Sequence, residues 1–256
     1  MEQIKIIFAD LDLTLLHSDG TLSDYTVSVL NQCRQKGILI GFCTSRGITR
    51  VEEYADKIHP EIKICNAGAT IYFNDKLIHS QGFSVKETQA LLNQTYKVLG
   101  SNAEITVDTA DDFFWNKKED KSTRYGNEAK YDDLKNFPYP AIKFCAALTD
   151  EKKAKEIASA VNDCCYVAFS DIPWYKFSPA SSTKENGIKF ISEYLNISLA
   201  QMISFGDDFT DIGMLKTTGM GIAMENAIAQ VKNIATEITL SCDNDGVAYY
   251  IEKNIL

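Results

Sequence analysis

The stretch IKIIFADLDLTLL, residues 4–16, carries an apolar run of Ile4, Ile6, Ile7 and Phe8, followed by Asp10, Asp12 and Thr14. Near-continuous apolar character predicts a strand buried on both faces of a parallel sheet. Side chains two apart on a strand point to the same side, so Asp10 and Asp12 are expected to face one site together. Paired acids at the carboxyl end of such a strand suit metal binding, or a nucleophile beside an acid–base group. That spacing points to an enzyme.

Further along, Ser23 is the expected N-cap of a helix in which Val27, Leu30 and Cys33 recur at helical spacing, and Gly37 ends it. Residues 38–43, ILIGFC, read as the next buried strand and run into Thr44-Ser45-Arg46-Gly47. A helix is expected over 47–57 and a strand over 62–65, before Asn66-Ala67-Gly68. Strand–helix–strand alternation of this kind predicts an α/β fold, a Rossmann-like parallel sheet with helices on both faces.

The pattern changes after about residue 70. Thr70–Phe73 and Leu77–His79 flank Asn74-Asp75-Lys76 as a hairpin, and Ser84 with Glu87 forms a capping box for a helix reaching about Leu99. Strands are expected over 104–107, 113–115, 141–148, 166–169 and 174–177, with one helix over 150–162 and a loop-rich segment over 117–136. Such a run of strands predicts an α+β module inserted into the α/β core. The expected division is 1–81 for the first part of the core, 82–182 for the insert and 183–256 for the rest. The alternation then resumes with a helix over 184–195, strands over 202–205, 219–222 and 237–240, and a closing helix from 245.

The 256 residues are 45% hydrophobic, enough to bury the core of one large or two modest domains. A formal net charge of −9 repels phosphate backbones and argues against a nucleic-acid partner. Lys117 and Lys118 are followed at once by Glu119 and Asp120, which reads as a solvated loop. Seven scattered cysteines with no C-x-x-C argue against a disulfide framework or zinc site and for a reducing compartment. Neither a signal-peptide pattern nor a bilayer-length apolar run is present, so a cytoplasmic protein without a membrane partner is expected.

Four polar signals fall at strand exits or helix starts: Asp10/Asp12/Thr14, Thr44, Lys184, and Asp207/Asp208/Asp211. Singly, Asp208 reads equally as a helix N-cap, Thr44 as a loop residue and Lys184 as a surface lysine. Together they belong on one edge of the sheet, where open α/β folds bind ligands. Their chemistry suits phosphoryl transfer. A carboxylate nucleophile and a phosphoester are both negative, so a divalent cation held by carboxylates must lie between them. A lysine and a hydroxyl hold the remaining phosphoryl oxygens, and a second acid protonates the leaving alcohol and then activates water.

These motifs resemble the haloacid dehalogenase (HAD) superfamily, in the Cof-type phosphatase branch with a type IIB cap. Asp10-Leu11-Asp12-Leu13-Thr14 is similar to the first motif, D-x-D-x-T, Thr44 to the Thr of the second and Lys184 to the Lys of the third. Gly206-Asp207-Asp208-Phe209-Thr210-Asp211 is similar to the fourth, G-D-x-x-N-D, and continues into GMGIAMENA, with Asp245-Gly246-Val247-Ala248 near the end. The resemblance implies that Asp10 is nucleophile and Mg²⁺ ligand, and that Asp12 is the general acid–base with its backbone carbonyl on the metal. It implies that Asp207 completes the metal site, with Asp211 as a ligand or just behind it, and that Thr44 and Lys184 hold phosphate. Thr210 stands where the family has Asn and keeps a hydrogen-bonding group on a shorter reach. Arg46 follows the second motif, within reach of substrate or cap. Leu13 and Ser45 stand where glycine is usual; Leu13 is expected to point away from the site and to matter little.

The insert is then a cap that excludes water and supplies specificity. Its Trp115, Trp174 and Tyr175 are candidates for substrate contact, with packing of the cap's own core the favoured role. The expected activity is that of a Mg²⁺-dependent phosphatase acting on a small phosphorylated metabolite, a sugar phosphate in the first instance, through an aspartyl-phosphate. The expected protein is a monomer or weak homodimer. A phosphomutase uses the same Asp pair and is the alternative, and a non-catalytic phospho-ligand binding protein ranks lower. A phospho-receiver domain is about half this length and pairs adjacent acids. Dehalogenase chemistry needs neither an acid at Asp12 nor a metal.

Overall fold

The computed structural model describes residues 3–118, 129–169 and 172–256. In chain order the first elements are β1 (Ile6–Ala9), α1 (Asp24–Gln35), β2 (Leu39–Cys43), α2 (Glu52–Ile58), β3 (Ile62–Cys65), β4 (Thr70–Phe73) and β5 (Lys76–Ser80). Then come α3 (Val85–Leu99), β6 (Ile105–Asp108), β7 (Phe113–Trp115), β8 (Lys130–Tyr131), β9 (Lys143–Ala147), α4 (Glu151–Ala158), β10 (Cys164–Ala168) and β11 (Trp174–Pro179). The chain closes with α5 (Lys184–Leu195), β12 (Met202–Gly206), α6 (Ile212–Thr217), β13 (Met220–Ala223), α7 (Ala229–Lys232), β14 (Glu237–Ile238) and α8 (Gly246–Asn254). Two compact units result, residues 1–79 with 183–256, and residues 80–182.

The first unit is built on an eight-stranded sheet in the order β14-β13-β12-β1-β2-β3-β4-β5. From β14 through β3 the neighbours are parallel, and β4 runs antiparallel to β3. The apolar pattern explains the burial: Ile6, Ile7 and Phe8 of β1 and Ile203 and Phe205 of β12 are all essentially inaccessible. Helix α1 lies against α2 and α8, while α5 lies against α6, which gives the helical layers of an α/β fold. The order reverses at β1, whose neighbours β2 and β12 come from opposite halves of the chain. That reversal opens the crevice where ligands of such sheets bind.

The second unit is an α+β layer, a six-stranded sheet in the order β10-β11-β9-β6-β7-β8 with α3 and α4 on one face. Ile105, Val107, Phe144, Ala146, Tyr175 and Phe177 alternate toward the helices and meet Leu91, Leu92, Ala154 and Ile157. Tyr175 is therefore core packing. Trp115, Thr106, Asp108, Lys143 and Lys176 fall on the alternate positions of the same strands, and all five are buried.

Several local expectations are revised. The segment 47–57 begins as a tight turn, with Arg50 N–H donating to Gly47 O and Val51 N–H to Ile48 O, before α2 starts at Glu52. Helix α4 stops at Ala158, short of 162. Part of the loop-rich segment, residues 119–128, lies outside the described residues, and with it Glu119 and Asp120. All seven cysteines are free thiols. Among the described residues no helix is long and apolar enough to cross a membrane.

Candidate active site

Asp10 lies one residue beyond β1, and its N–H donates to Phe205 O across the switch point at 3.0 Å. The chain then makes a wide turn, closed by Leu15 N–H to Asp10 O at 3.2 Å and Leu16 N–H to Leu11 O at 2.8 Å. Asp10 and Asp12 are thus loop residues, and strand alternation does not set their directions. Within the turn Leu13 is left-handed, with φ 57°. A branched side chain is strained there, which is the physical reason glycine suits the position. Leu13 does point outward, 45% exposed, but its cost is in the backbone. Asn226 braces the turn: its Nδ2 donates to Leu13 O at 2.8 Å, while its Oδ1 accepts from Cys242 N–H at 2.9 Å.

From the other half of the chain, β12 delivers Asp207 and the turn after it delivers Asp211. Gly206 is required here, because a Cβ would come within 2.5 Å of Asp211 Cβ. Asp211 folds back so that its Oδ2 accepts from the N–H groups of Asp207 and Asp208, at 3.0 and 3.1 Å. Thr14 Oγ1 donates to Asp207 Oδ1 at 2.7 Å and ties the two halves together. One oxygen each from Asp10, Asp207 and Asp211 lies within 4.8 Å of the others.

Lys184 opens α5, and Thr183 caps that helix by accepting from Asn186 N–H. Gly68, at φ 103°, lets β3's exit loop approach Thr183, since a Cβ would lie 2.2 Å from Thr183 O. The Lys184 ammonium is buried between Asp10 Oδ1 at 2.8 Å and Asp211 Oδ1 at 2.6 Å. Thr44 follows β2, beside β1, and is buried. Thr210 sits half-buried in the turn before Asp211.

Electrostatics follow from burial. Asp10 is pushed well above the usual carboxylate range by burial and by Asp211 and Asp207, with Lys184 pulling it back. Burial and Asp211 push Asp207 up to about 7, against the Thr14 hydrogen bond. Burial weighs against the Lys184 charge, yet Asp10 and Asp211 outweigh it and hold the ammonium above lysine's ordinary value. With all three carboxylates ionised, the one lysine would leave two negative charges uncompensated. A divalent cation supplies that balance, and an all-oxygen donor set suits a hard one.

Asp12 is not one of this cluster. Its carboxylate is gripped by Arg46, with Nε to Oδ2 at 2.9 Å and Nη2 to Oδ1 at 2.5 Å. This pair was not visible in the sequence, where Arg46 was expected to reach substrate or cap.

A family signature described as haloacid dehalogenase-like hydrolase matches residues 7–251. The chain belongs to this family. It is 24% identical over 266 residues to the 5-amino-6-(5-phospho-D-ribitylamino)uracil phosphatase YitU of Bacillus subtilis, across 97% of this chain and 96% of that one. A solved haloacid dehalogenase-like hydrolase from Bacteroides thetaiotaomicron has a TM-score of 0.85 at 22% identity, over 98% of this chain and 99% of that one. A HAD subclass IIB sugar phosphatase has a TM-score of 0.82 at 21% identity, over 98% of this chain and 100% of that one. The haloacid dehalogenase-like fold thus extends through both units.

Proposed function

We propose that this HAD-family hydrolase is a Mg²⁺-dependent phosphatase that hydrolyses a small phosphorylated metabolite, of the sugar-phosphate type, through an aspartyl-phosphate on Asp10. The observation that carries this reading is the buried trio of carboxylates around one lysine, an acidic excess that suits a divalent cation. Asp10 and Asp207 would hold Mg²⁺ together with the Asp12 backbone carbonyl. Asp211, with Oδ1 on Lys184 and Oδ2 on two N–H groups, acts mainly from behind. When bound, the cation neutralises the repulsion between the Asp10 carboxylate and the phosphoryl oxygens.

The chain's own residues then divide the work. The Asp10 carboxylate attacks phosphorus while the bond to the leaving oxygen breaks, and Asp12 gives that oxygen its proton. Asp12, now a carboxylate, takes a proton from water; the water oxygen attacks phosphorus, breaks its bond to Asp10 and restores the carboxylate. Lys184, Thr44 and Thr210 hold the phosphoryl oxygens as charge spreads over them. The inserted unit, residues 80–182, serves as the cap that selects the leaving group. YitU and the subclass IIB sugar phosphatase carry names of phosphatases for small phosphate esters, which supports the substrate class.

The deciding experiment measures phosphate release from a panel of sugar phosphates and p-nitrophenyl phosphate, with Mg²⁺ and with EDTA, beside Asp10→Asn. Release is expected only with Mg²⁺ and Asp10 both present. Turnover by Asp10→Asn, or turnover undiminished by EDTA, would sink the assignment.

A further inference from the structure

Arg46 is the better buried member of its pair, its side chain 16% exposed against 45% for Asp12. The side-on fork of its guanidinium, Nε and Nη2, is spent on Asp12. The rest of the side chain is tied down as well. Nη1 donates to Arg50 O at 3.3 Å, and the guanidinium lies 5.2 Å from the centre of the Tyr54 ring. Its backbone is fixed from both sides, by Arg46 N–H to Thr44 Oγ1 at 3.1 Å and Asn66 N–H to Arg46 O at 2.8 Å. Asp12, by contrast, sits in a loop with no strand to aim it, next to the strained Leu13. A carboxylate so placed samples several rotamers unless a partner selects one.

We propose that Arg46 is a positioning residue, which stands behind Asp12 and holds its carboxylate at the rim of the site, and that Arg46 does not itself bind substrate. This rests on the phosphatase reading and on the acid–base role of Asp12 within it. Arg46 binds the bidentate carboxylate with both donors in a fixed plane, a geometry lysine does not reproduce. Positioning of this kind acts on the proton donated to the leaving oxygen, so its weight depends on how much the leaving group needs that proton.

The test compares kcat/KM for the best sugar phosphate and for p-nitrophenyl phosphate in the unsubstituted protein, Arg46→Gln, Arg46→Lys and Asp12→Asn. This ratio reports the steps through transfer to Asp10, and p-nitrophenolate leaves without needing a proton. Arg46→Gln is expected to lose roughly 100-fold on the sugar phosphate, the scale of general acid catalysis, and less than about threefold on p-nitrophenyl phosphate. Arg46→Lys, which keeps the charge and one donor contact, is expected to fall between Arg46→Gln and the unsubstituted protein and guards against misfolding of the neutral variant. An equal fall on both substrates, or no fall on either, overturns the proposal. Leaving-group dependence in Asp12→Asn without it in either Arg46 variant overturns the positioning role alone. Its absence in Asp12→Asn overturns the acid–base role beneath it, and absence of turnover in the unsubstituted protein overturns the phosphatase reading and the proposal with it.

Discussion

Lys184 is a cation at the amino end of a helix, where the helix dipole disfavours it, and it is held there by Asp10 and Asp211. Lys184→Met would leave those two buried carboxylates without the cation between them. Metal-free protein is expected to lose about 3–5 kcal/mol in urea unfolding, and added Mg²⁺ to recover part of it. Leu13→Gly acts the opposite way, because the left-handed penalty outweighs the added freedom of the unfolded chain. A gain of about 0.5–1 kcal/mol in the same assay is expected, and a loss would mean that Leu13 packs on something that matters. Asp10, Lys184, Asp207 and Asp211 were legible in the sequence because strand exits and helix starts put them on one edge. Asp12's partner was not, since Arg46 lies 34 positions away and the link depends on a turn. Nor was the cost at Leu13, because the sign of φ is a property of the folded loop and not of residue type.

Helix α3 was legible at both ends because its start is written in side chains. Glu87 N–H donates to Ser84 Oγ, and Glu87 Oε2 accepts from Ser84 N–H at 2.8 Å. Ser84→Ala is expected to cost about 1 kcal/mol in thermal or urea unfolding and to leave turnover per folded molecule unchanged. A drop in kcat for that variant would tie α3 to the chemistry. The end of α4 was not legible because Ala158, Ala160 and Val161 continue the helical pattern. Ser159 Oγ instead donates back to Glu156 O at 2.7 Å, one of the local bonds by which serine competes with a continuing helix. Similarly, the sequence pattern separates a helical stretch from a strand at 47–57, but not the tight opening turn from the α-helix that follows it.

At the scale of the molecule, the acidic trio makes stability depend on pH and on metal. Asp207 is raised from 3.8 to about 7 in the folded protein, so between those values the folded state holds more protons than the unfolded chain. Stability of metal-free protein is therefore expected to fall as pH rises through that window. Asp207→Asn should lessen the slope, leaving the part that Asp10 carries, and Mg²⁺ should flatten it; melting curves in EDTA and in Mg²⁺ from pH 4 to 8 check both. The site joins distant parts of the chain, as β1 pairs with β12 from Ile6 alongside Met202. On the ribosome, at about 5–20 residues per second, the nascent β1 keeps an open edge for roughly 10–40 s before β12 exists. During that wait residues 80–182 can complete their own sheet, while Ile6, Ile7 and Phe8 are strand edge without a second neighbour. A transiently exposed apolar edge during synthesis is thus built into the order in which the sheet is threaded.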